Sequence, residues 1–282
     1  MSFDWSKMGR TPPAALVEAR NLAHHAAQWL TKAARGNLKP VADDSHSSLV
    51  WDASLAALLS QPLPAKDGEV RVGLRIARFE LIVVASGGNV LDSFQLDGKT
   101  DAASGAWIDS KMRALGLKPA SGVALPYSLP DHPAGGKPLE LGTLGRELGD
   151  LSRWFAGPAD ALEEFRGKLH GLHPEPLLCW PHHFDIATLV TLGVGKGSSA
   201  QTIGVGASPG DEFYAQPYFY VSPSPRLDGA LPELPRPGRW HTEGFFGAVA
   251  TGEELLALKD RGPGLLAFLA GAFEICRARL GA

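Results

Sequence analysis

Apolar residues recur at helical spacing from Pro12 to Ala34, where Leu16, Leu22, Ala26 and Leu30 form one stripe. Thr11 is placed to cap this helix, Pro12 and Pro13 suit its first turn, and Gly36 is its expected end. His24 and His25 fall in mid-helix, where they either reach a site or, as the simpler reading, form an exposed or half-buried pair. After a polar stretch, Leu49 to Leu59 reads as a buried strand, with a helix as the alternative. From Val70 the pattern alternates: Val70, Val72, Leu74 and Ile76 share one face, and then the apolar set shifts to Phe79, Leu81 and Val83. That one-residue shift predicts a bulge or sharp bend near Ala77 and Arg78. Ser86-Gly87-Gly88-Asn89 is a hairpin turn, and Val90 to Leu96 is the returning strand. Thr100 or Asp101 caps a helix that runs to Leu115, with Gly116 behind it.

A proline-rich connection over 125–138 leads to two helices, Leu139 to Phe155 and Ala159 to Leu169, divided by Gly157-Pro158. The remaining strands are Leu177 to Trp180 with Phe184 to Leu192, Gln201 to Gly206, Pro217 to Ser222 and Arg239 to Ala250. Thr251 and Glu254 make a capping box, Gly262-Pro263-Gly264 interrupts the helix it starts, and a last helix runs to Leu280. The fold class is therefore α+β, mainly antiparallel sheet with flanking helices. A single domain over 1–282 is expected, with halves 1–130 and 139–282 that repeat a strands-then-helix order. No residue-by-residue repeat accompanies that order.

Composition adjusts this picture in three ways. With 44% hydrophobic and 20% charged residues, the chain builds a core rather than a disordered tail. A net charge of −3 gives no basic excess for nucleic acid, and no run of apolar residues is long enough for a membrane span. Cys179 and Cys276 are too few for a disulfide scaffold or a thiolate zinc site. They read as buried, reduced thiols of a cytoplasmic protein.

The chemistry is concentrated between Cys179 and Tyr220. Strand parity places His183 beside Asp185, and a later strand places His241 beside Glu243. If the strands are neighbours, these four side chains form a nitrogen-and-oxygen set for a divalent metal such as zinc, with manganese or iron as alternatives. Without a metal, His183 and Asp185 read as a catalytic pair, an imidazole base with an orienting carboxylate. Ser208-Pro209-Gly210 forms a turn that leaves Asp211 and Glu212 at the start of the next segment as ligand-binding or plain turn residues. Tyr218 and Tyr220 share a strand face and offer hydroxyls to a ligand, or else belong to core. Histidines flanked by tryptophan and phenylalanine equally suit a buried structural role. The glycine-rich run Gly193 to Ser198 lacks phosphate-loop spacing and reads as a hairpin loop.

The segments WPHHFDIA, IGVGASPGDEFYAQPYFYVSPSP and GRWHTEGFFGAV together resemble an uncharacterised bacterial protein family of unknown function. The resemblance implies one continuous protein of this architecture. It marks His183, Asp185 and Asp211 as positions of a shared pattern and carries no activity with it. Two functional readings remain open. One is a protein acting on a small molecule in a His/carboxylate and tyrosine-lined cleft, extending to a metal-dependent, hydrolase-like enzyme. The other is a non-catalytic ligand-binding or interaction module in which the His–Asp group is structural.

Overall fold

The computed structural model describes residues 3–131, 137–194 and 200–281. The fold is α+β, and its strands pair antiparallel. The chain divides into two compact units. The first comprises Leu16–Arg153 and Leu178–Phe184, and the second comprises Met1–Ala15, Trp154–Leu177 and Asp185–Ala282. These bounds differ from halves at 1–130 and 139–282: residues up to Ala15 belong to the second unit, and 139–153 and Leu178–Phe184 to the first. No described helix is long and apolar enough to cross a membrane.

The first unit contains α1 (Val17–Asn37), β1 (Leu49–Asp52), β2 (Ala57–Ser60), β3 (Leu63–Ala65), β4 (Gly68–Arg75), β5 (Glu80–Ala85), β6 (Val90–Gln95), α2 (Asp101–Ala114) and β7 (Leu178–Trp180). Its strands follow the order β7-β1-β2-β4-β5-β6, with β3 beside β4. Helix α1 lies on β2 and β4 and buries Leu22, Ala26, Leu30 and Ala33. It begins after a 3-10 turn over Pro13–Leu16, so Thr11 does not cap it. Nor does Gly36 end it. The helix continues to Asn37, whose side chain donates to Ala33 O (2.9 Å) and exchanges hydrogen bonds with Lys118. Gly36 serves packing instead, since a Cβ there would stand 3.2 Å from Val123.

The stretch 49–59 is a hairpin rather than one strand. Asp52 accepts from Leu55 N (2.9 Å) and Ser54 Oγ (2.6 Å), and Ala56 takes a left-handed backbone at φ 48°. The expected bend near Ala77 is a 3-10 turn over Ile76–Arg78 that ends in Phe79 at φ 47°. The hairpin at Ser86 to Asn89 and the Thr100 cap of α2 form as read from the sequence.

Helix α3 (Gly145–Gly167) begins in the first unit and ends in the second. It passes unbroken through Gly157-Pro158, where the missing Cβ of Gly157 admits the Phe3 ring to within 2.9 Å of where that atom would be. The second unit continues with β8 (Asp185–Val194), β9 (Ala200–Ser208), β10 (Tyr218–Ser224), β11 (Arg239–His241), β12 (Gly247–Thr251), α4 (Gly252–Leu256) and α5 (Arg261–Leu280). Its strand order is β11-β12-β10-β9-β8. The tip of the glycine-lysine loop, 195–199, lies outside the described residues, as does 132–136 of the proline-rich connection.

Two boundaries in this unit differ from the sequence pattern. The expected strand from Arg239 to Ala250 is split into β11 and β12 by a turn in which Gly244 sits at φ 80°. The capping box of Thr251 and Glu254 forms, but the chain breaks after α4, and Gly262-Pro263-Gly264 falls in the first turn of α5. There the missing N–H of Pro263 costs nothing, because the first amides of a helix have no intrahelical acceptor.

The two faces of this sheet differ. Ile186, Val190, Ile203, Val205, Phe219, Val221, Ala248 and Ala250 are buried on the face that carries α5. Asp185, Gly206, Ser208, Tyr218, Tyr220 and His241 alternate with them onto the other face. Cys179 and Cys276 are both buried and neither is in a disulfide, and burial pushes Cys276 up to about 12.

Candidate functional site

The histidines following Trp180 lie in a turn of the first unit, before β8 begins. Pro181, His182 and His183 lead to Phe184, which has a left-handed backbone at φ 60° and donates its N–H to Trp180 O (2.6 Å). That backbone ends the strand alternation one residue before Asp185. The parity expected to place His183 on the Asp185 face therefore does not apply. A left-handed conformation costs a bulky residue about 1–2 kcal/mol. Burying a phenylalanine side chain returns about 1.5–3 kcal/mol, and Phe184 is 1% exposed, so burial outweighs the strain.

The turn is held from beneath by α1. His24 and Gln28, one helical turn apart and both buried, each donate to the Pro181 carbonyl, at 2.7 and 3.0 Å. A carbonyl only accepts, so His24 carries its proton on Nε2. Its ring stacks on Phe184 at 4.8 Å and 9°. Gln28 also donates to His24 O (3.0 Å), and its Oε1 accepts from the Tyr127 hydroxyl (2.8 Å), which fixes the amide orientation. Burial lowers the pKa of His24 to about 4, with its hydrogen bond to Pro181 opposing that shift and His25, Arg20 and His183 reinforcing it. Burial likewise raises the Tyr127 phenol well above its usual value.

Above this support, His182 and His183 are exposed, with ring centroids 4.2 Å apart. Tyr127 and Trp180 approach His182 at 5.7 and 6.2 Å. Partial enclosure of the ring, then the neighbouring His183 imidazole, push the pKa of His182 down. Neither His182 nor His183 has a hydrogen-bond partner on its ring among the described residues. By contrast His24 bonds to Pro181, His25 to Pro130 and His46 to Val41. Such a pair of imidazoles can donate or accept hydrogen bonds.

The second unit places the other expected residues together, but engaged with one another. Tyr220 on β10 faces Gly206 on β9, which faces Ala187 on β8. Its ring crosses the glycine, and its hydroxyl donates to Asp185 Oδ2. A Cβ on Gly206 would lie 2.5 Å from that hydroxyl, so the strand must be bare here. Tyr218 donates to Asp211 Oδ2, while Asp211 Oδ1 accepts from Phe213 N (2.8 Å) and Tyr214 N (3.0 Å). Burial and then the adjacent carboxylates hold both phenols, Tyr218 and Tyr220, well above the usual tyrosine range. The Tyr214 hydroxyl meets His241 Nδ1 at 2.8 Å, and His241 Nε2 bonds to Glu243 O. The carbonyl requires the proton on Nε2, so Tyr214 donates to Nδ1 when His241 is neutral. Phe245 stacks on His241 at 4.0 Å.

This arrangement corrects the expected metal set of His183, Asp185, His241 and Glu243. Among the described residues no group of three or more His, Cys, Asp or Glu side chains could hold a metal ion. The reasons are local. His241 uses both ring nitrogens on protein partners, and Glu243 engages it through its backbone while its own side chain is exposed. Asp185 accepts from Tyr220, and Glu212, expected beside Asp211, is exposed. Tyr218 is buried and Tyr220 half-buried, so these two form a bolt across the sheet more than a wall of hydroxyls. A separate apolar groove of about 290 Å³ lies between α3 and α5, lined by Phe165, Leu169, Leu266 and Phe273, and none of the expected site residues borders it.

Sequence reasoning missed the residues that support the turn. His24 and Gln28 sit one helical turn apart within an alanine-rich stripe, and two such polar groups on a buried face were the available signal. Gly206 and Tyr214 gave none until the strand order was known. Comparison with known proteins found no matching family model, no matching curated protein and no matching solved structure.

Proposed function

We propose that this protein binds or acts on a small molecule at the turn over 181–184, with the imidazoles of His182 and His183 as its contact groups. One observation carries the reading: two exposed imidazoles with no ring hydrogen bond among the described residues stand on a turn whose Pro181 carbonyl is fixed by two buried side chains, His24 and Gln28. Buried hydrogen bonds directed at one carbonyl order a segment that would otherwise be a mobile surface loop. Preorganisation of that kind lowers the entropic cost of ligand binding. Chemically, a neutral imidazole offers one donor and one acceptor, and it suits general acid–base chemistry as well as recognition.

The tyrosine–carboxylate face of the second unit is assigned a structural role, because its phenols, Asp211 and His241 satisfy one another. The test compares two variants in a thermal-shift screen against neutral, cationic and anionic small molecules. Stabilising compounds should lose their effect in His182→Ala/His183→Ala and keep it in Tyr220→Phe after allowance for the lower baseline. Hits that survive the histidine double variant would remove the turn from the binding site.

A further inference from the structure

We infer that the ligand group recognised by His182 and His183 is a small oxyanion, a phosphate or carboxylate, and that the pair takes up a proton as it binds. This rests on the reading of the turn as the ligand site. Two imidazoles with ring centroids 4.2 Å apart offer N–H donors, and among the described residues no carboxylate is bound to either ring. A cationic ligand is best met by a carboxylate, and the one coupled to His182, Asp44, already pairs with Arg35 at 2.9 Å. A metal ion needs a third donor, and the described residues form no such group.

An anion is different, because it gains a second charge-assisted hydrogen bond if either ring protonates. The charged and titratable groups coupled to this cluster are Arg20, His24 and His25 on α1, Arg35 with Asp44, Tyr127 and Cys179. His24 and Tyr127 are held neutral by burial, so the exposed pair is where added charge is accommodated. Without a ligand, each ring opposes protonation of the other. An anion hydrogen-bonded to the edges of both rings offsets that opposition and favours the protonated state. Its affinity therefore increases as pH falls, by up to about tenfold per pH unit for one proton taken up.

Histidine-labelled full-length protein, followed by nuclear magnetic resonance, decides the matter. The two imidazole titrations are measured with inorganic phosphate, with acetate, and with sodium chloride at equal ionic strength. Upward shifts of both rings with phosphate or acetate beyond the chloride control, abolished for the remaining ring in each single variant His182→Ala and His183→Ala, support the inference. The stronger of the two probes names the group. Equal shifts in all three salts overturn it as simple screening. If neither oxyanion acts while an uncharged compound from the thermal-shift screen perturbs the same resonances, the oxyanion inference fails and the site reading stands. If nothing perturbs them, both fall.

Discussion

The turn over 76–80 and the turn over 181–185 both end in a phenylalanine with left-handed backbone, Phe79 at φ 47° and Phe184 at φ 60°. Each phenylalanine is followed by an acidic residue that opens a strand, Glu80 or Asp185. The local sequences Arg78-Phe79-Glu80-Leu81 and His183-Phe184-Asp185-Ile186 match in kind at every position. What precedes each phenylalanine differs. The first turn exposes Ala77 and Arg78, and the second exposes His182 and His183. Support differs too. Gln95 donates to Arg78 O (2.8 Å) in the first, whereas a buried histidine and glutamine, with a tyrosine behind them, fix the second. The unusual backbone is thus a device of the fold, used twice, and is no marker of function by itself. The functional argument rests on what only one copy carries.

This comparison can be broken at several strengths. The largest effects belong to the shared device. Phe79→Ala and Phe184→Ala should each destabilise by about 3–5 kcal/mol in urea unfolding, since both rings are fully buried. A loss confined to one of them would show that the turns are not held alike.

Next comes acid. His24 titrates near 6.5 when unfolded and near 4 when folded, so the unfolded state binds the extra proton between those values. Its contribution should be intact above pH 6.5 and should fall as pH drops, reaching a loss of about 3 kcal/mol at pH 4. His24→Gln should flatten that part of the stability profile, and an unchanged slope would place the acid sensitivity elsewhere. The 76–80 turn has no equivalent group.

The acidic residues then separate. Tyr220→Phe should cost about 1–3 kcal/mol by removing the donor to Asp185. Glu80→Gln, which loosens a partly exposed pair with Arg75, should cost under about 1 kcal/mol. Equal costs in denaturant titration would mean that the two acids hold their strands equally. The smallest effect is expected at the feature of greatest interest. His183→Ala should change stability by no more than about 0.5 kcal/mol, as for an exposed side chain with no ring hydrogen bond among the described residues. A much larger loss would assign His183 a structural role.

Local signals were legible in the sequence where chemistry and period act over a few residues. The alternation of β4 and β5, the Thr100 cap, the hairpin after Ala85 and the Thr251–Glu254 box are all such cases. Boundaries set by partners were not. Gly36 and Gly157 read as stops but serve close approach by Val123 and Phe3, and the α3 proline is tolerated inside its helix. For the site, the adjacent histidines were visible and their pairing with Asp185 was not decidable. Parity assumed a strand through His183, and the left-handed Phe184 prevents it. The partners of Asp185 and His241 depend on neighbouring strands or loops, so side chains expected to be open ligands are occupied within the second unit.

The support of the Pro181 carbonyl has a consequence for when this turn exists. His24 and Pro181 are 157 positions apart, while the matching bond of the other turn, from Gln95 to Arg78, spans 17. Contacts so distant in the chain form late, after local hairpins and helices. A nascent chain that has emerged only as far as β6 can already close the first turn. The second must wait until the segment after Leu177 arrives and meets α1, which is made long before it. Until then His24 and Gln28 have no carbonyl to hold, and the two imidazoles have no fixed place. Their display marks a first unit that has closed on its last segment.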